Sequence, residues 1–392
     1  MYPLNVSTRR SFMRGLAATL GICGLPPLGK AAQAGGETPV PATAVQIDPP
    51  QPGYDNLVKL ASNENPYGPS EAVMKSMTGA WKYANRYGYP DGGITEAIAA
   101  HHKVRPDQVL IGAGSAEVLK SADDAFLPGH RMVVGVEPTF EVVYRYATNS
   151  KARAATVPLR EDYSVDMKEI VRVTNENAHE VGLVYICNPN NPTGNVIPKD
   201  DISFLLDNIP QNIPVLIDEA YHHFVENPAY ESSMKYVLEG RKIIVTRTFS
   251  KIAALAGMRL GYGIAPSDVI DQMRQVIYGS SINAVVKYGG VAALQDTGYE
   301  AKVRELNRRN RDRTTSQLRS MGYEIIPSET NFFMVNVRKD VTSVRREFRM
   351  RGILVGRKFP PMDTWLRVSV GTEDDMTRFL AAFKEILPAK AA

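Results

Sequence analysis

Apolar residues run in short unbroken blocks at 109–111, 132–136, 181–187, 215–217 and 243–246. Such a block offers water no polar face, so it reads as a strand covered on both sides. Helical spacing appears at 116–126, 140–148 and 202–206. Strands alternating with helices predict an α/β architecture whose central sheet is mostly parallel and flanked by helices. Polar residues gather just past the carboxyl ends of the strands, at 112–115, 188–191, 218–221 and 248–251. Open α/β sheets bind ligands at that edge. A long, charge-rich helical pattern covers 300–321 and could join two domains. Strand patterns at 323–326, 332–337, 353–355 and 366–369, with helices at 341–351 and 372–387, then predict a compact α+β unit. The expected division is a large domain over 57–298 and a smaller C-terminal domain over 299–392. Residues 35–56, rich in Pro, Gly, Thr and Ala, read as a linker and N-terminal arm.

Charge changes the picture at the N-terminus. The chain has 46 Lys and Arg against 42 Asp and Glu. Residues 1–34 hold Arg9, Arg10, Arg14 and Lys30 and no acid, so the 42 bases beyond them equal the 42 acids. A near-neutral body argues against a nucleic-acid partner, which calls for a basic face. Arg9-Arg10 precedes an uncharged stretch at 15–28, and Ala32-Gln33-Ala34 has a small-x-small cleavage pattern. This segment resembles a twin-arginine (Tat) export signal over 1–34, implying the Tat machinery as partner and a periplasmic or exported product. Its core is too short and mild to span a membrane. Of the two cysteines, Cys23 lies in this leader, leaving Cys187 without an internal disulfide partner.

Four polar segments carry candidate chemistry. Lys251 closes Thr248-Phe249-Ser250-Lys251 behind an apolar strand, and Arg259 follows eight residues on. A desolvated lysine loses charge and becomes nucleophilic, able to form an imine with an aldehyde. Asp218-Glu219-Ala220-Tyr221 ends another strand, where a carboxylate needs a partner. A protonated pyridine nitrogen is one such partner. A metal bound by Asp218, Glu219, His222 and His223 is another, disfavoured because neighbouring strand residues point to opposite faces; no metal is expected. Asn188 to Gly194 is a plain turn or places the Asn191 amide on a ligand oxygen. Gly112-Ala113-Gly114-Ser115-Ala116 sits between strand and helix, where free backbone N–H groups bind phosphate.

The order of these segments resembles that of fold type I enzymes dependent on pyridoxal 5′-phosphate (PLP), and specifically the class I/II aminotransferases. Leu60 to Pro69, Tyr89-Pro90-Asp91 and Leu366 to Thr372 add a closer likeness to the histidinol-phosphate aminotransferase branch, and the resemblance covers about 56–388. It implies a catalytic trio of Lys251 (Schiff-base lysine and proton shuttle), Asp218 (partner of the pyridine nitrogen) and Tyr221. Tyr221 and Asn191 would hold the ring oxygen, and Phe140, in place of the usual tyrosine, would stack on the ring. Gly114, Ser115, Ala116, Thr248 and Arg259 would cradle the phosphate. Tyr89 would reach the phosphate of a neighbouring subunit, implying a homodimer. Arg367, with Asn65 and Tyr67, would bind substrate; Arg357, Lys358 or Arg86 could take a substrate phosphate. The implied reaction moves an amino group from an L-amino acid or amino-phosphate compound to a 2-oxo acid. Histidinol-phosphate aminotransferase proper, or a decarboxylase, racemase or β-lyase on the same fold, is the alternative. The export signal favours a donor other than a cytoplasmic histidine precursor.

Overall fold

In a computed structural model of the chain, residues 53–388 are described, apart from 89, 130 and 278–281. The leader, most of the N-terminal arm and Tyr89 therefore lie outside the described residues. Twelve strands are found among them: β1 (Val58–Leu60), β2 (Val109–Gly112), β3 (Met132–Glu137), β4 (Arg153–Pro158), β5 (Val181–Cys187), β6 (Val215–Asp218), β7 (Ile243–Thr248), β8 (Gly261–Ile264), β9 (Ile325–Ile326), β10 (Phe332–Asn336), β11 (Ile353–Val355) and β12 (Trp365–Ser369).

The main sheet has seven strands in the order β2-β8-β7-β6-β5-β3-β4. Only β8 runs against its neighbours, β2 and β7; the other pairings are parallel. Every residue of β5, β6 and β7 is buried, as a sheet with helices on both faces requires. The cores on its two faces are built from residues such as Val184, Ile186, Ile217 and Val245 on one side and Leu183, Tyr185, Leu216 and Ile244 on the other. Alternate residues of one strand thus feed opposite cores. Each such aliphatic side chain contributes about 1.5–3 kcal/mol through burial.

A further core packs around the antiparallel sheet β12-β10-β9 and the parallel pair β1-β11. Val58 and Leu60 belong to this core, because β1 pairs with Ile353–Val355. The segment expected to open the large domain therefore packs with the C-terminal part of the chain. All three cores lie in one compact unit beginning at Gly53. The long helix is Thr297–Ser320, begun by Asp296, whose side chain accepts from the Tyr299 N–H at 3.1 Å. Its buried stripe is largely polar: Asn307 and Arg311 donate to the Thr330 carbonyl, and Asn310 to that of Gly371. β1, β4 and β8 have no counterpart among the strands expected from the sequence. β4 is an edge strand with one buried residue of six, and β8 carries two glycines where close packing is needed. At Gly261, a Cβ would overlap the Ser115 N–H.

Candidate active site

Since β8 is antiparallel to both its neighbours, β2 runs parallel to β3, β5, β6 and β7, and their carboxyl ends share one edge. Past that edge lies a cavity of about 370 Å³. Its lining includes Ser115, Ala116, Phe140, Asn191, Asp218, Tyr221, Thr248, Lys251, Arg259 and Arg367. These sequence-predicted residues thus meet in one place, although they span more than half of the chain.

Lys251 follows β7, and its Nζ donates to the Ser62 carbonyl at 3.2 Å. The amine lies 5.6 Å from the centre of the Tyr221 ring. Burial, with help from the charge of Arg367, lowers its pKa to about 8; Glu64 and Asp218 oppose this. An amine in that range is neutral in about a tenth of molecules at pH 7, far more than an ordinary lysine, and the neutral form is the nucleophile.

Asp218 ends β6 at 2% exposure. Its Oδ1 accepts from Thr246 Oγ1 at 3.1 Å and from the Ala220 N–H at 3.2 Å. No protein donor is recorded on Oδ2 among the described residues. Burial raises the carboxyl pKa to about 6, against the pull of those hydrogen bonds and of Lys251. A carboxylate held this way lacks a cationic hydrogen-bond donor at its free oxygen. Tyr221 is buried too, which raises its pKa, and its hydroxyl accepts from Asn63 Nδ2 at 3.0 Å.

The turn after β5 is internally braced. Asn188 donates to the Ile197 carbonyl and accepts from its N–H, and Asn190 accepts from Thr139 Oγ1 at 2.7 Å. Asn191 is used differently: its Oδ1 accepts from Arg367 Nη1 at 2.7 Å, which turns its amide nitrogen to the cavity side. The loop between β2 and helix Ser115–Phe126 turns at Gly114, with φ of 82°. A Cβ there would overlap Arg259 Nη2. Arg259 donates to the Ala256 carbonyl at 2.9 Å and faces the start of that helix. Thr248 and Ser250 line the same corner of the cavity, joined by a 2.9 Å hydrogen bond.

Arg367 on β12 is 8% exposed. Its Nη2 donates to the Ala61 carbonyl at 2.8 Å, while its buried Nε has no partner. It makes no ion pair among the described residues, and burial lowers its pKa to about 10. A buried guanidinium without a carboxylate is costly unless a ligand anion completes it.

Two predicted substrate contacts are not brought to this cavity. The Asn65 amide donates to the Ile252 carbonyl at 2.8 Å, and Tyr67 OH accepts from Asn310 at 3.2 Å, so both side chains brace the loop that carries Asn63. Of the candidate phosphate contacts, Lys358 is held by Asp340 and Asp363, Arg86 is exposed away from the cavity, and Arg357 lines it. Glu219 pairs with buried Arg247 at 2.8 Å. Sequence reading passed over Asn63, Glu64, Thr139, Cys187 and Phe359 as lining residues. The φ of 55° at Asn63, a conformation Asn tolerates, is the one local signal that marks it.

Comparison with known proteins agrees with this geometry. Residues 55–383 match the family described as aminotransferase class I and II. The histidinol-phosphate aminotransferase of Caldicellulosiruptor saccharolyticus is 35% identical over 344 residues, covering 86% of this chain and 93% of that protein. That of Moorella thermoacetica is 35% identical over 356 residues, covering 89% of this chain and 90% of its own. A solved structure from Erwinia carotovora atroseptica superposes with a TM-score of 0.81 at 30% identity, covering 85% of this chain and 96% of its own. The Sinorhizobium meliloti histidinol-phosphate aminotransferase, solved in complex with pyridoxal-5′-phosphate, shares the fold, with a TM-score of 0.78 at 24% identity and coverage of 85% and 91%.

Proposed function

We propose, for a chain that belongs to the class I and II aminotransferase family, that this cavity binds PLP and one substrate at a time, moving an amino group from an L-amino acid or amino-phosphate donor to a 2-oxo acid. The observation that carries the reading is the convergence of a softened amine, a buried carboxyl with a free oxygen, an anion corner and an unpaired buried arginine on one cavity.

The residues fit the cofactor. Asp218 Oδ2 is available to the ring nitrogen, Tyr221 and Asn191 to the ring oxygen, and Phe140 to the ring face. Ser115, Ala116, Thr248 and Arg259 are placed for the phosphate, with Gly114 giving the backbone its close approach. When bound, PLP supplies an aldehyde and an electron-accepting ring. Lys251 would anchor it, and its amine, once freed, would take the proton from the substrate α-carbon and deliver it to the carbon that was the cofactor's aldehyde. Asp218 keeps a proton on the ring nitrogen, and Arg367 holds the substrate anion in a two-pronged grip. Asn191 aligns that arginine through its 2.7 Å hydrogen bond.

Histidinol phosphate is the donor suggested by the relatives' names, and the Arg367 anion site suits a phosphate or a carboxylate. An exported enzyme would meet a different donor. The family match begins at residue 55, leaving the acid-free segment 1–34 outside it, consistent with Tat export to the periplasm. Replacing Arg9 and Arg10 by lysine should retain the protein in the cytoplasm; unchanged export refutes the signal. We also infer a homodimer, because Met74, Trp81 and Tyr87, within fourteen residues of one another in the chain, all put large apolar or aromatic side chains in water. Light scattering at monomer mass would refute it. The reaction itself is tested by absorbance: the cofactor band should fade on adding the right donor and return on adding a 2-oxo acid. A band that no amino acid or amino-phosphate compound converts, histidinol phosphate included, argues against transamination.

A further inference from the structure

Besides Arg259 and Arg367 the cavity is lined by a third arginine, Arg357, which unlike Arg367 already has a counter-ion. Arg357 Nη2 lies 3.0 Å from Glu141 Oε1, and both side chains are nearly half exposed. Arg357 reaches the cavity because Gly356 packs against the Arg367 backbone, its N–H donating to the Arg367 carbonyl at 2.9 Å. A Cβ at Gly356 would meet that same carbonyl oxygen at 2.5 Å, so no larger residue could bring the strand so near. The two arginines share one aromatic wall. The Arg357 guanidinium carbon is 4.2 Å from the centre of the Phe359 ring and that of Arg367 is 4.8 Å away, which caps their separation at 9.0 Å. One small molecule can touch both.

Arg367 has no carboxylate, so it requires the anion common to all substrates. Arg357 is neutralised until something displaces Glu141. A half-exposed ion pair is held weakly, because water competes for both ends. Glu141 also immediately precedes helix Val142–Asn149, where the exposed backbone N–H groups favour a carboxylate whether or not it keeps its arginine. Lys358, the neighbouring cation, is occupied by Asp340 at 2.7 Å and Asp363 at 3.2 Å and does not compete.

We propose that Glu141 and Arg357 form an exchangeable counter-ion pair that sets substrate choice: a substrate with a second anionic group takes Arg357 from Glu141, whereas one with a neutral side chain leaves the pair closed against Phe359. This rests on the aminotransferase reading, in which a single cavity must accept two different substrates in turn. A fixed, unpaired cation would penalise the neutral substrate, and an apolar wall alone would penalise the charged one. The pair serves both. The second anion is a carboxylate or a phosphate group, which arginine grips alike.

The test measures binding as well as turnover. Glutarate, butyrate and 4-phosphonobutyrate, none of which can transaminate, are titrated calorimetrically into the holoenzyme and into Arg357→Gln and Glu141→Gln. Wild type should prefer glutarate over butyrate. Arg357→Gln should cut that preference by about tenfold or more, the scale of a lost charged hydrogen bond. Glu141→Gln should widen it several-fold, because the internal competitor is gone. The butyrate arm reports that each variant still forms its site. A stronger preference for 4-phosphonobutyrate than for glutarate identifies phosphate as the second anion. Equal losses for all three ligands in Arg357→Gln, no wild-type preference, or an unmoved preference in Glu141→Gln would each overturn the proposal. Ligand preference without transamination of any donor would instead overturn the assigned reaction and leave the pair's role standing.

Discussion

Asp218→Asn should make the cofactor-free protein more stable while weakening its hold on PLP. Burial moves the carboxyl pKa from its ordinary 3.8 to about 6 in the folded chain. A raised folded-state pKa means that the acid favours folding while it is neutral. That advantage is complete below 3.8 and is lost as pH rises through about 6. At neutral pH the buried carboxylate therefore costs roughly two pKa units, or about 3 kcal/mol. Asparagine keeps an acceptor for Thr246 Oγ1 and the Ala220 N–H but carries no charge. The variant's advantage should be small near pH 4, grow between pH 4 and 6, and stay level above. Denaturant unfolding of cofactor-free protein at several pH values measures it. PLP affinity should move the other way, because the free oxygen that would meet a cationic ring nitrogen has gone. An advantage that does not change between about pH 5 and pH 7.5, or a variant less stable than wild type throughout, refutes the reasoning.

Attachment of PLP to cofactor-free protein needs the neutral amine of Lys251. Its rate should rise about tenfold per unit below pH 8 and level off above, given a pKa of about 8; a rise continuing to about pH 10, as for an ordinary lysine, refutes the lowered value. Gly114→Ala forces a Cβ onto Arg259 Nη2 at a φ of 82°, so PLP affinity should fall at least tenfold, read by equilibrium dialysis; unchanged affinity removes Arg259 from the phosphate corner. Arg367→Lys loses the forked donor set, and KM for amino acids should rise about 10–100-fold; a KM within twofold of wild type would place the substrate anion elsewhere. Lys251→Ala should abolish turnover and leave the far-ultraviolet spectrum unchanged, since its recorded hydrogen bond is a single one to the Ser62 carbonyl; near-normal turnover would refute its role.

The main sheet was legible because its central strands are buried on both faces, so β5 and β6 are apolar runs that stay unbroken until the strand end. What escaped was set by pairing rather than by local pattern. β8 is short and glycine-rich because it runs beside the Gly114–Ser115 backbone, a contact invisible without the partner. β1 looked like the start of the large domain because it precedes that domain in the chain. Its register with Ile353–Val355, almost three hundred residues away, places it in the other core.

The site divides along the same line. Lys251, Asp218 and Asn191 each sit at or just past the end of a buried strand, so strand direction alone delivers them to a common edge. No such rule orders residues 61–67. There the left-handed Asn63 turns the chain so that its own amide meets Tyr221, while Asn65 turns to Ile252 and Tyr67 to Asn310. Adjacency in a motif gave Asn65 and Tyr67 a substrate role that backbone geometry gives to neither. Arg357 shows the converse. As one of two adjacent basic residues it was indistinguishable from Lys358, and only their partners separate them. Two aspartates hold Lys358 at the surface, whereas Glu141 and Phe359 hold Arg357 at the cavity. Whether a charge on a loop is solvated or functional is thus decided by which opposite charge the fold sets beside it, and that partner comes from a distant part of the chain.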